Sequence, residues 1–203
     1  MKKTLALMIS SLLLATGAVR AQDTNASDTV RRAVHVCNAC HGEDGRSTTA
    51  LVPSLAGQMP QYLIAQLKDF RSQTRVETGT RAYMWGVSAL LDDATIAGLA
   101  SYYSAQKPAA AQPAPSALAQ LGRKLFKDGV PGRGIRACAS CHGEQAEGQA
   151  GFPRLAGQRA DYITAQLKVF KSKLRPHGVV MQQEIKQMTP AEMRAVAAYL
   201  QGL

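Results

Sequence analysis

All four cysteines of this 203-residue chain fall in two hexapeptides, Cys37-Asn38-Ala39-Cys40-His41-Gly42 and Cys138-Ala139-Ser140-Cys141-His142-Gly143. In C-x-x-C a turn of helix puts both thiols on one side, where each can form a thioether to one vinyl group of a heme. The adjoining histidine then reaches the iron as its proximal ligand. On this reading Cys37, Cys40 and His41 hold one heme c, and Cys138, Cys141 and His142 hold a second. Gly42 and Gly143 let the backbone turn close to the ring. C-x-x-C pairs also serve zinc sites and thioredoxin-like dithiols. A redox dithiol does not require the following histidine, however, and zinc would need further ligands where only His35 and His177 remain.

The sixth iron position decides what such a site does: an open one admits small molecules, whereas a second permanent ligand leaves the iron only to change charge. Met84 and Met181 are the candidates. Each stands eight residues before the start of a closing helix, at Asp92 and Thr189. A lone methionine is ordinarily core filler, the reading for Met59, Met188 and Met193. His177, four residues before Met181, is a rival ligand with no counterpart in the first half, and His35 is a weaker one. A neutral thioether favours ferrous iron, so His/Met coordination predicts two high-potential one-electron centres. Pro53 and Pro153 follow the histidines by twelve and eleven residues. Their carbonyls can accept the imidazole N–H, or the prolines can merely turn the chain. Arg75 and Arg175 can pair with heme propionates or lie solvated.

The elements that would position these residues come in duplicate. Pro53-Ser54-Leu55-Ala56-Gly57-Gln58 matches Pro153-Arg154-Leu155-Ala156-Gly157-Gln158. Tyr62, Gln66-Leu67-Lys68, Phe70 and Arg75 recur at an offset of 100, and Met84, Ala100 and Tyr102 at 97. Such an ordered series marks a tandem domain duplication. The proline-bearing stretch Lys107 to Ser116 reads as an extended connector, giving domains at 22–106 and 117–203 around a linker at 107–116. Each is small enough to need a staple beyond its own core.

Leu63, Leu67 and Phe70, repeated at Ile163, Leu167 and Phe170, form helical stripes. Ser116 is expected to cap a helix with Leu118, Leu121, Gly122 and Leu125 on one face. Ile96, Leu99, Ala100 and Tyr103 follow Asp92-Asp93, and Thr189-Pro190-Ala191-Glu192 is a capping box. Alternating β-branched runs are absent, so both domains are expected to be all-α.

Lys2 and Lys3, an apolar run from Leu5 to Ala15 and the small-residue site ending at Ala21 read as a signal peptide over residues 1–21, cleaved after Ala21. Export implies an oxidising compartment. The formal charge falls from the +10 of the full chain to +7 once Lys2, Lys3 and Arg20 are removed. A basic exported protein points to acidic partner patches or an anionic membrane face, not nucleic acid.

These residues resemble the class I cytochromes c, specifically the diheme cytochrome c4 family of bacterial periplasms, over essentially the whole mature chain. C-x-x-C-H-G, P-x-L-A-G-Q and Y-x-x-x-Q-L-K each occur twice, and the chain ends Ala197 to Leu203 as AAYLQGL. The resemblance implies two small helical bundles around covalent hemes, Met84 and Met181 as distal ligands, and propionate edges facing across a pseudo-twofold interface. It also implies electron transfer from a quinol-oxidising complex to a terminal oxidase, often at the membrane surface. The chain departs in its short lead-in before Cys37, in a single methionine around position 84, and in a Phe170-to-Met181 segment three residues shorter than its counterpart. A diheme peroxidase would need an open heme with acid–base groups beside it. A heme-bearing subunit of a larger oxidoreductase is compatible with the carrier reading.

Overall fold

The computed structural model describes residues 13–76 and 83–203, with side chains from residue 27 onward. Residues 1–12 of the expected leader lie outside the described residues. Nine α-helices are described: α1 (Leu13–His41), α2 (Pro60–Arg71), α3 (Tyr83–Ser88), α4 (Asp93–Ser104), α5 (Ser116–Asp128), α6 (Ala139–His142), α7 (Ala160–Lys171), α8 (Val179–Glu184) and α9 (Pro190–Gln201). The only β pairing among the described residues is two isolated bridges, Val130 with Ile135 and Gln149 with Phe152. The all-α expectation therefore holds. No described helix is long and apolar enough to cross a membrane.

Each half crosses its first helix with its last, and a glycine permits the approach. In the second half a methyl group on Gly122 of α5 would meet the Ala195 carbonyl of α9 at 2.0 Å. In the first half the glycine is on the closing helix: Gly98 of α4 receives the Val30 side chain of α1. Around these crossings Val34, Leu63, Leu99, Ala100 and Tyr103 form one core. Phe126, Ile163, Leu167, Phe170, Met193, Val196 and Leu200 anchor the other, and each fully buried side chain of this size contributes roughly 1.5–3 kcal/mol. Met188 and Met193 are core fillers as expected, and Met59 is the N-cap of α2.

Two local expectations need correction. Pro115, not Ser116, occupies the N-cap of α5, and no side chain caps that end. The buried face of α5 runs through Gly122, Leu125 and Phe126, leaving Leu121 46% exposed. The i+3 stripe placed Leu121 inside, but α5 rolls so that Gly122 meets α9, which turns its neighbour outward. The short lead-in before Cys37 has a structural form: α1 runs unbroken through Cys37 to His41. In the second half α5 stops at Gly129, whose φ of 65° no other residue adopts easily, and a loop leads to α6.

The capping box on α9 is complete. The Thr189 hydroxyl accepts from the Glu192 amide, and the Glu192 carboxylate accepts from the Thr189 amide at 2.8 Å. The Arg133 guanidinium also donates to Glu192, and chiefly for that reason its carboxyl is held at about 2. A depressed folded-state value means the stabilisation is present above the unfolded value and lost as pH falls through the folded one. Glu192→Gln is therefore expected to lower the thermal midpoint at neutral pH by the equivalent of about 1 kcal/mol. The gap to wild type should close between about pH 4.5 and about pH 2; melts across that window check it.

Candidate heme sites

Each C-x-x-C-H sequence sits at a helix end and projects its histidine inward. His41 closes α1 and His142 closes α6, and both rings are buried. The chain can then leave because Gly42 and Gly143 adopt φ of 79° and 86°. A methyl group on Gly42 would lie 2.2 Å from the Arg46 carbonyl.

His41 Nδ1 stands 2.8 Å from the Pro53 carbonyl oxygen, and His142 Nδ1 stands 2.9 Å from that of Pro153. A carbonyl can only accept, so each Nδ1 carries the proton and each Nε2 keeps its lone pair. Burial lowers both imidazole pKa values, more than the carbonyl bond raises them, so both rings are neutral. His142 Nε2 is buried with no hydrogen-bond partner among the described residues. A neutral, oriented imidazole with a buried lone pair left over is what an iron ligand requires.

No disulfide joins the four cysteines. Burial pushes the Cys37 thiol up and the Cys138 thiol to about 11, the opposite of the low-pKa thiolate a redox dithiol uses. Among the described residues no three His, Cys, Asp or Glu side chains converge as a metal-ion cage would require. Met84 lies in α3 and Met181 in α8, short helices at equivalent places ahead of the N-caps Asp92 and Thr189. Met181 packs against the second core, and Met84 is half-buried. His35 is exposed; His177 is largely exposed, with Nδ1 2.8 Å from Asp69 of the other half.

Arg75 and Arg175 are both 6% exposed, so neither is solvated. Arg75 reaches Gln66 of its own half at 2.8 Å, and Tyr162 and Gln166 of the other at 3.0 and 3.1 Å. Arg175 reciprocates with Gln166, Tyr62 and Gln66. Each guanidinium also lies over a phenylalanine ring, Phe70 at 4.4 Å and Phe170 at 4.2 Å. Burial alone would raise the Tyr62 phenol, but the two cations outweigh it and leave its pKa lowered. Two buried cations held by neutral hydrogen-bond partners suit an additional anionic group beside them, the charge that heme propionates would supply.

A second reciprocal set completes the interface. Gln58 exchanges two bonds with the backbone of Arg154, at 3.0 and 2.7 Å. Gln158 does the same with Ser54, at 2.9 and 2.8 Å. Gln58, Gln158, Tyr62, Tyr162, Gln66 and Gln166 had marked only the register of the duplication; polar residues repeated in step were the available signal that the halves meet there.

Fold and site together define a class: an all-helical electron-transfer protein of the cytochrome c type, in two related halves. The family model for cytochrome c matches residues 119–203. Cytochrome c-552 of Acidithiobacillus ferridurans is 41% identical, over 97% of this chain and 86% of its own length. A thiosulfate dehydrogenase electron acceptor of Thiomonas intermedia is 41% identical, over 81% of this chain and 76% of its own length. The solved structure of Acidithiobacillus ferrooxidans cytochrome c4 superposes with a TM-score of 0.77 at 42% identity, covering 82% of this chain and 98% of that one. The chain belongs to the diheme cytochrome c4 family, whose two hemes c are bound covalently.

Proposed function

We propose that this protein is a periplasmic carrier of single electrons between respiratory complexes, in two heme domains at residues 22–106 and 117–203 joined by the linker 107–116. Cys37 and Cys40 with His41, and Cys138 and Cys141 with His142, attach the two groups. Met84 and Met181 complete the iron coordination, Pro53 and Pro153 fix the imidazoles, and Arg75 and Arg175 meet the propionates. The hemes supply one-electron exchange between ferric and ferrous iron. The polypeptide holds the imidazoles neutral and oriented, and buries cations that favour the anionic propionates.

The observation that carries this reading is the paired geometry of two buried histidines, each tied through Nδ1 to a proline carbonyl. A quinol-oxidising donor and a terminal oxidase suit such a carrier. The Thiomonas relative, a thiosulfate dehydrogenase electron acceptor, adds a dehydrogenase as a second class of donor. Charge indicates where an acidic partner would dock: residues 117–203 hold 13 Lys and Arg against 6 Asp and Glu, and residues 22–106 hold 7 against 8. The second half therefore attracts an acidic patch or anionic membrane face, with on-rates that fall as salt rises.

Spectra recorded during a potentiometric titration of the heme-loaded protein test the proposal. Two one-electron steps at positive potential, with both irons low-spin throughout, are the expected result. A high-spin iron that takes up added peroxide or carbon monoxide would replace the carrier reading with an enzymatic one.

A further inference from the structure

We propose that each half of the molecule steadies the methionine loop of the other through a side-chain relay that crosses the interface. The inference rests on the assignment of Met84 and Met181 as iron ligands. In one direction the Tyr162 hydroxyl and Gln166 Oε1 accept from the Arg75 guanidinium, at 3.0 and 3.1 Å. The backbone carbonyl of Arg75 in turn accepts the indole N–H of Trp85 at 2.8 Å. Trp85 is the residue after Met84.

In the other direction the Tyr62 hydroxyl and Gln66 Oε1 accept from the Arg175 guanidinium. The Arg175 carbonyl accepts the side-chain amide of Gln182 at 2.8 Å, and Gln182 is the residue after Met181. Trp85 and Gln182 are equivalent at the offset of 97 that relates Met84 to Met181. An indole and a carboxamide share little beyond an N–H donor of suitable reach, yet each donates to the equivalent arginine carbonyl of its half. The two halves have kept the bond while changing the residue that makes it.

Geometry makes the relay stiff. Each arginine is buried, stacked on a phenylalanine ring and fixed at its far end by the opposite half, so its carbonyl has little freedom. The bond from Trp85 or Gln182 then closes the methionine loop onto that carbonyl. Val76 N donates to the Leu174 carbonyl at 3.1 Å, which ties the segments after Arg75 and before Arg175 directly, and His177 meets Asp69 of α2 in the other half. Arg75 and Arg175 are positioning residues in this scheme, and Tyr62 and Tyr162 set them from across the interface.

The signature of the relay is that it crosses. The readout is the hyperfine-shifted methyl resonances of the two ligating methionines in the oxidised, heme-loaded protein, each assigned through Met84→Ala or Met181→Ala. These are followed as pH is raised until the methionine is displaced. Tyr162→Phe removes one charge-assisted hydrogen bond and is expected to make Met84 ligation about tenfold less favourable, shifting its displacement down by about one pH unit while Met181 shifts less. Tyr62→Phe should do the reverse. Trp85→Phe should weaken Met84 alone, and its effect should not add to that of Tyr162→Phe, because both act on one chain of bonds. Larger effects on the methionine of the mutated tyrosine's own half, no effect on either, or full additivity would overturn the relay while leaving the ligands in place. Absence of both methionine resonances from the wild type would overturn the ligand assignment and the relay with it.

Discussion

Cys138→Ala combined with Cys141→Ala is expected to yield protein carrying one covalent heme where the wild type carries two, with a second half that no longer melts cooperatively. The thiols are the groups through which that heme would be bonded, and what remains, His142 with Met181, is coordination alone. The consequence for folding follows from the shape of the second core. Cys138 and Met181 pack against its buried residues, and His142 Nε2 is buried with no hydrogen-bond partner among the described residues. Without the ring, that nitrogen stays buried and unpaired and the apolar contacts of the heme are lost, in a domain of a size where a staple is usual. Intact mass under denaturing conditions counts the hemes, and calorimetry follows the melt. Retention of two hemes in the double variant would remove the thioether assignment.

Much of this was legible in the sequence because the chemistry dictates spacing. A thioether pair and its histidine must be adjacent, so C-x-x-C-H could be read directly. Helical periodicity placed Leu63, Ile96, Leu99, Ile163 and Val196 inside, where the structure has them. The capping box at Thr189 is a local signal and appears intact. Leu121 was misplaced because a stripe gives a helix a face but not its roll, and a close glycine contact set the roll of α5. Arg75 and Arg175 stood between a propionate-pairing and a solvated reading for a different reason. A polar residue facing the other half of a duplicated protein looks, in sequence, like one facing water; reciprocal bonds to Tyr62, Tyr162, Gln66 and Gln166 make the difference visible. The same ambiguity hid Gln58 and Gln158, whose side chains complete backbone pairing across the interface.

Met181→Ala and Met84→Ala should each lower the midpoint potential of one heme, by on the order of 0.1 V or more within the roughly 0.8 V that axial ligands span. The thioether is a neutral, soft donor that favours ferrous iron, so removing it withdraws stabilisation mainly from the reduced state. Each variant should also lose about half of the methionine-to-iron charge-transfer intensity in magnetic circular dichroism and acquire a high-spin ferric signal. The second loop is the more demanding test, since Met181 follows Phe170 by eleven residues and Met84 follows Phe70 by fourteen. The shorter loop still brings Met181 against the second core, because Gly178 N and Gln182 both donate to the Arg175 carbonyl and tighten the turn. Since Met181 packs there, Met181→Ala should also cost stability, on the order of 1–3 kcal/mol for a partly buried large-to-small change. His177 provides the internal control. It points to Asp69, and His177→Ala is expected to leave both charge-transfer bands intact. If that variant, and not Met181→Ala, removed a ligand signal from the second heme, the distal ligand there would be the histidine, and its potential would be set by a harder donor.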